Sequence, residues 1–230
     1  MSVWDSIFGP QSEPPDTVVL VTAGIALVVV FVSALWRPAR NVITIVHEAG
    51  HALVALLAGR RLSGIRLHSD TSGLTLTRGK PHGPGMVCTA LAGYVAPSLL
   101  GLLFAALVGA DRVAGLLIVC AVLLLGVLIM VRNAFGVFSV LVTGAVLVGV
   151  SWVATDDIQS AFAYVITWFL LLGGIRPVFE LQRKRWRRRA RDSDADQLAR
   201  LTGAPGVFWV AMFLMINLGS LVLAGSWLLG

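Results

Sequence analysis

The apolar runs of this 230-residue chain are as long as a bilayer is thick, and no other feature narrows its folds so far. A helix needs about 20 predominantly apolar residues to cross the hydrocarbon core. Runs of that order fall near 17–36, 41–59, 85–109, 112–131, 134–154, 158–181 and 205–229. Seven crossings are expected, or six if one segment is re-entrant or lies flat, and the Gly-rich 134–154 run has the softest boundaries. Only 13% of residues are charged, against roughly a quarter in a soluble domain, so a soluble globular fold is excluded. The expected architecture is all-α, a polytopic bundle of 6–7 transmembrane helices forming one membrane-embedded domain at 17–230 behind a disordered lead-in at 1–16. That lead-in carries three acids, no Lys or Arg, and Pro10, Pro14 and Pro15, the reverse of a signal peptide's basic start. Cys88 and Cys120 both fall within spans and read as small apolar residues, not as a disulfide or metal framework.

The net charge of +6 is concentrated. Seven of the eighteen basic residues lie in the run Arg183-Lys184-Arg185-Trp186-Arg187-Arg188-Arg189-Ala190-Arg191. Directly behind a span, such a run reads as a cytoplasmic loop, 182–204, held by the positive-inside rule and by anionic lipid, and not as a nucleic-acid site. Alternation then puts the basic 60–84 segment inside as well, and the N-terminus with it. One feature conflicts: Arg37 and Arg40 fall outside, where an acidic N-terminus would also be favoured. The conflict disappears if the 41–59 helix does not span fully.

Within that helix stands His47-Glu48-Ala49-Gly50-His51. Residues i and i+4 share a helix face, so two imidazoles can address one zinc ion while Glu48 reaches water bound there. Histidine and glutamate are costly in lipid, so their presence is itself a functional signal. Gly50 keeps the face slim enough for another helix to approach. A catalytic zinc site takes a third protein ligand. His68 and His82 are candidates, but elimination by topology favours the Asp192, Asp194, Asp196 cluster on the inner side. Ser193 as N-cap, acids in the first turn, and Gly203 with Pro205 as a stop also explain those acids as a short amphipathic helix. Between motif and next span, 61–79 alternates apolar and polar residues around Ser69-Asp70-Thr71-Ser72-Gly73, a β-hairpin pattern. It is either an ordinary hairpin or an edge on which an extended substrate can pair. Asn133, at an inner boundary, is a candidate oxyanion donor or a helix cap.

The stretch I45-V-H-E-A-G-H-A-L-V-A-L-L-A-G, the following hairpin and A92-G-Y-V-A-P-S resemble the site-2-type intramembrane zinc metalloproteases, more narrowly a compact bacterial branch. That resemblance implies a zinc endopeptidase cutting membrane proteins in or near their transmembrane segments, in a bacterial plasma membrane, with the site toward the cytoplasm. It implies His47 and His51 as metal ligands and Glu48 as the base. Better-known members bring an Asp in an L-D-G motif, which this chain lacks. S193-D-A-D-Q-L-A-R-L-T looks like its replacement, with Asp194 the preferred ligand and Asp196 the second. The alternatives are an inactive scaffold or regulator of the same fold, and a metal or ion transporter.

Overall fold

In the computed structural model, residues 14–187 and 192–230 are described. Residues 1–13 of the 1–16 lead-in and the last part of the basic run, 188–191, lie outside them. Helix α1 is Asp16–Phe31 and α2, the motif helix, is Ser33–Leu57. A hairpin of β1 (Arg61–Leu67) and β2 (Gly73–Arg78) follows. Then come α3 (Pro84–Val108), α4 (Val113–Met130), α5 (Ala134–Val153), α6 (Asp156–Trp186), the short α7 (Asp194–Thr202) and α8 (Gly206–Leu228). The fold is the expected helical membrane bundle with a hairpin after the motif. Among the described residues, five helices, α3, α4, α5, α6 and α8, are long and apolar enough to cross a membrane alone, and the α1–α2 pair makes a sixth candidate span.

That pair departs from the sequence expectation. No loop separates two full crossings near Arg37 and Arg40; the chain bends by 99° at Val32 and continues as helix through both arginines and Pro38. Polar partners hold the segment in place. Arg40 pairs with Glu180 on α6 at 3.2 Å, Trp36 Nε1 donates to Glu180 at 3.2 Å, and the Arg176 guanidinium lies 4.8 Å from the Trp36 ring centroid. The two arginines therefore sit beside the basic end of α6. Helix α1 runs parallel to α6: Thr17, Val18 and Ile25 share a groove with Ile158, Phe162 and Val165, and farther along Arg176 donates to the Val30 carbonyl. The start of α1 and the basic run thus lie at opposite ends of the bundle, which removes the charge conflict met in the sequence. The basic run itself begins inside α6, which stays helical through Trp186, and not in a loop from 182.

Small residues bring the central helices together. Gly174 accommodates Ser98 and Pro97 of α3, and Gly101 accommodates Leu171, so α3 and α6 pack antiparallel. Phe104, Leu116, Leu170 and Leu171 are fully buried in the larger core, while Val178, Leu198 and Phe213 anchor a second cluster that ties α7 to α6 and α8 at the basic end. The hairpin closes through an Asx turn: Asp70 Oδ1 accepts from the Ser72 N–H at 3.0 Å and from its hydroxyl at 2.6 Å. A β-bulge at Leu62/Gly64 puts Gly64 at φ 146°, where its missing side chain lets Arg132 cross the strand.

Candidate metal centre

The motif helix brings His47 and His51 one turn apart, and α7 delivers Asp194 to them from the far end of the chain. The two Nε2 atoms are 3.1 Å apart, and each lies 3.3 Å from Asp194 Oδ2. Ligands bonded at 2.0–2.1 Å to one tetrahedral ion stand about 3.4 Å from each other, so the three atoms already have the spacing of a shared metal. The space is cleared by Gly93 of α3, where a Cβ would run into the Nε2 atoms of both histidines. His51 Nδ1 donates to the Thr89 carbonyl at 2.7 Å, which leaves the Nε2 lone pair free to bind. His47 is braced edge-on by Tyr94 at 4.8 Å between ring centroids, and Tyr94 stacks on Phe213 at 4.9 Å. Two imidazoles and a carboxylate, spaced this way around an empty glycine face, fit a zinc ion.

Burial by itself would raise the Asp194 pKa, but His51 and His47 outweigh it and hold the carboxyl well below its ordinary range. Asp194 and Asp196 are separated by the geometry of their own helix. Two residues apart on an α-helix is a rotation of about 200°, so when Asp194 faces the histidines Asp196 must face away. Asp196 instead pairs with Arg185 and accepts from the Ser193 hydroxyl at 2.8 Å. Burial by itself would raise its pKa, but the Ser193 and Arg185 contacts together outweigh it and hold the carboxyl below its ordinary range. Ser193 caps the helix as expected, and Gly203 ends it at φ 77°.

Glu48 is buried under the hairpin. Thr75 of β2 donates to its Oε2 at 2.6 Å, and Gly73, two residues earlier on the same face of the strand, leaves room that a Cβ would take from the Glu48 carboxylate. Gly50 plays the part its size suggests, with Ala92 and Ala96 of α3 lying against it.

Asn133, the candidate oxyanion donor, lies against strand β1 of the hairpin. Its side-chain amide donates to the Leu67 carbonyl at 2.6 Å and accepts from the Leu67 N–H at 3.1 Å. Together with the Arg132 N–H donating to Ile65 at 2.9 Å, it closes the outer edge of β1. That pairing takes up the amide oxygen and one of its two N–H groups. His68 and His82 are exposed on the hairpin turn and the following loop, apart from the triad.

A family model, Peptidase M50B-like, matches residues 20–224. The chain belongs to that family. It is the site-2 protease family of membrane metallopeptidases, so the resemblance read from the motif and the fold agree over most of the chain. No curated protein and no solved structure gives a significant match.

The residues that sequence reasoning missed are Thr89, Gly93, Tyr94, Gly73 and Thr75. Gly93 and Tyr94 stood in the quoted A92-G-Y stretch without an assigned part. A single glycine in an apolar helix carries no sign of which side chain it makes room for.

Proposed function

We propose that the protein is a zinc-dependent intramembrane endopeptidase that hydrolyses peptide bonds in or near transmembrane segments of other membrane proteins. The observation that carries this reading is the meeting of His47, His51 and Asp194 over Gly93, with Glu48 next in the chain and anchored by Thr75. A zinc ion held by the three side chains supplies Lewis acidity toward a water and a peptide carbonyl. Glu48 takes the proton from the attacking water and passes it to the departing amide nitrogen. Thr75 fixes which carboxylate oxygen is committed to the hairpin and which is free for that transfer. A substrate helix must unwind to offer its carbonyls, and the edge of β2 away from β1 is the strand on which the unwound segment pairs, since the outer edge of β1 is already taken by 131–133.

The basic end of the bundle, where hairpin, α7 and triad gather, faces the cytoplasm of a bacterial plasma membrane by the positive-inside rule, with anionic lipid against the 183–191 run. In this orientation the α1–α2 pair counts as one bent span and the N-terminus lies outside. Asp194 beside the histidines favours a peptidase over an inactive scaffold, a state that loss of the third ligand would produce. The test is cleavage of a panel of single-span substrates reconstituted with the protein. Wild type cuts at least one, and Glu48→Gln is slower by about 10³-fold or more, the order of a lost general base together with the water it orients. Equal cutting by both forms, or no cutting across a broad panel, overturns the proposal.

A further inference from the structure

The hairpin turn, the first turns of α2 and the last turns of α6 enclose an open basin of about 980 Å³ at the basic end. Six cations line it, Arg37, Arg40, Arg176, Arg183, Lys184 and Arg187, against two carboxylates, Glu180 and Asp70. Both carboxylates are spent locally. Glu180 is held by Arg40, Arg176 and Trp36, and Asp70 caps its own turn through Ser72. Arg37, Arg183, Lys184 and Arg187 have no ion-pair partner among the described residues. The start of α2 at Ser33 also lines the basin, and no side chain caps that helix end. Its partial positive charge adds to the four free cations. A basin of this charge calls for an anion with several acceptor oxygens.

The surroundings decide which one. Immediately beside the basin, Phe31, Val32 and Leu35 are exposed, and behind them the outer face of α1 is apolar through Val28, Ile25 and Val21. A cationic hollow for a headgroup therefore adjoins a greasy strip for acyl chains. An acidic peptide or a free anion would gain nothing from that strip; a phospholipid uses both.

We propose that this basin is a binding site for the phosphate headgroup of an anionic phospholipid, its acyl chains lying along α1. The bound headgroup neutralises the converging arginines at the 99° bend and so steadies the start of the motif helix. The site stands apart from the His47–His51–Asp194 triad and does not depend on the protein being a peptidase.

The full-length protein is reconstituted in vesicles of equal parts phosphatidylglycerol and phosphatidylcholine, extracted, and examined by native mass spectrometry. Wild type retains phosphatidylglycerol in preference to phosphatidylcholine. Arg37→Gln/Lys184→Gln/Arg187→Gln retains about a hundredfold less, as a roughly fivefold loss per headgroup contact multiplies over three. Arg61→Gln/Arg66→Gln/Arg78→Gln removes the same charge from the hairpin and retains as much as wild type. Should the basin triple misfold, Arg37→Gln and Lys184→Gln singly carry the test, each with about a fivefold loss. Equal loss in the basin and hairpin variants reduces the effect to diffuse charge and overturns the proposal. Undiminished retention in the basin variants, or no preference in wild type, overturns it too. Millimolar inorganic phosphate leaves the lipid in place; displacement by it would assign the site to a free anion instead.

Discussion

Helices α2 and α4 belong to one bundle and obey opposite rules. The 25 residues of α2 include Arg37, Arg40, Asn41, His47, Glu48 and His51, and most of these have a named partner on another element. The 18 residues of α4 carry no charge, and Val122, Leu125 and Ile129 turn more than half their surface outward. Lipid tails are as apolar as leucine, so the outer face of α4 is solvated by the bilayer and depends on no particular neighbour. The polar groups of α2 would be unsatisfied anywhere but here. One helix is held by specific contacts and the other by its solvent, so the same substitution should hurt one and pass unnoticed in the other.

Glycine to alanine gives the widest separation. At Gly93 the added methyl falls on the Nε2 atoms of both histidines, while at Gly126 of α4 a Cβ meets nothing within 4 Å. Gly93→Ala should lose most of its zinc, to about a tenth of wild type or less, and all measurable cleavage. Gly126→Ala should keep both, with stability unchanged or raised by about 0.5–1 kcal/mol from helix propensity. Metal analysis of the two purified variants checks this, and full zinc in Gly93→Ala would break the comparison.

The next contrast lies within α7. Asp194→Ala should drop zinc as Gly93→Ala does. Asp196→Ala should retain it and lose only about 1 kcal/mol of stability through the weakened cap and the lost Arg185 pair. Zinc loss in Asp196→Ala alone would reverse the assignment.

These contrasts also mark how far the sequence could be read. His47, Glu48 and His51 were legible because i, i+4 spacing is local and their cost in lipid needs a reason. The spans were legible because bilayer thickness fixes their length. The hairpin was legible from its period of two. The Asp194 choice was narrower: topology selected three aspartates, and only the helical rotation between 194 and 196 separates them once α7 is docked. Asn133 could not be read, because its amide is claimed by Leu67, 66 positions away. The bend at Val32 was also hidden. Arg37 and Arg40 looked like a loop between two spans until Glu180 and Arg176, distant in sequence, supplied contacts to Arg40 and Trp36 that hold this stretch as helix.

A smaller effect tests whether the hairpin contributes to chemistry or only covers it. Thr75→Val preserves the shape of the side chain and removes the donor to Glu48. A carboxylate freed to choose its rotamer spends less time in the productive one, so kcat should fall about tenfold with KM held within about twofold. Thr75→Ser restores the hydroxyl and should recover most of the loss, and zinc content should stay at wild type in both. A rise in KM with kcat intact would assign Thr75 to substrate pairing along β2. Loss of zinc would mean that the hairpin supports the fold of the whole site.

The mildest expectation concerns the outer face of α4 and has the greatest power to break the comparison. Leu125 is 59% exposed, whereas Ile65, on strand β1 of the hairpin, is completely buried in one cluster with Val127 and Val131. Ile65→Ala leaves a cavity that close neighbours cannot fill and should cost about 2–5 kcal/mol. Leu125→Ala leaves a hollow that mobile acyl chains enter at once, so the change should stay within about 0.5 kcal/mol. Both are measured as shifts in reversible unfolding in the same lipid. If Leu125→Ala costs as much as Ile65→Ala, the face of α4 is not solvated by lipid but packed against protein. The surface would then be an interface with another chain, and the contrast between a helix held by contacts and one held by its solvent would fail at α4.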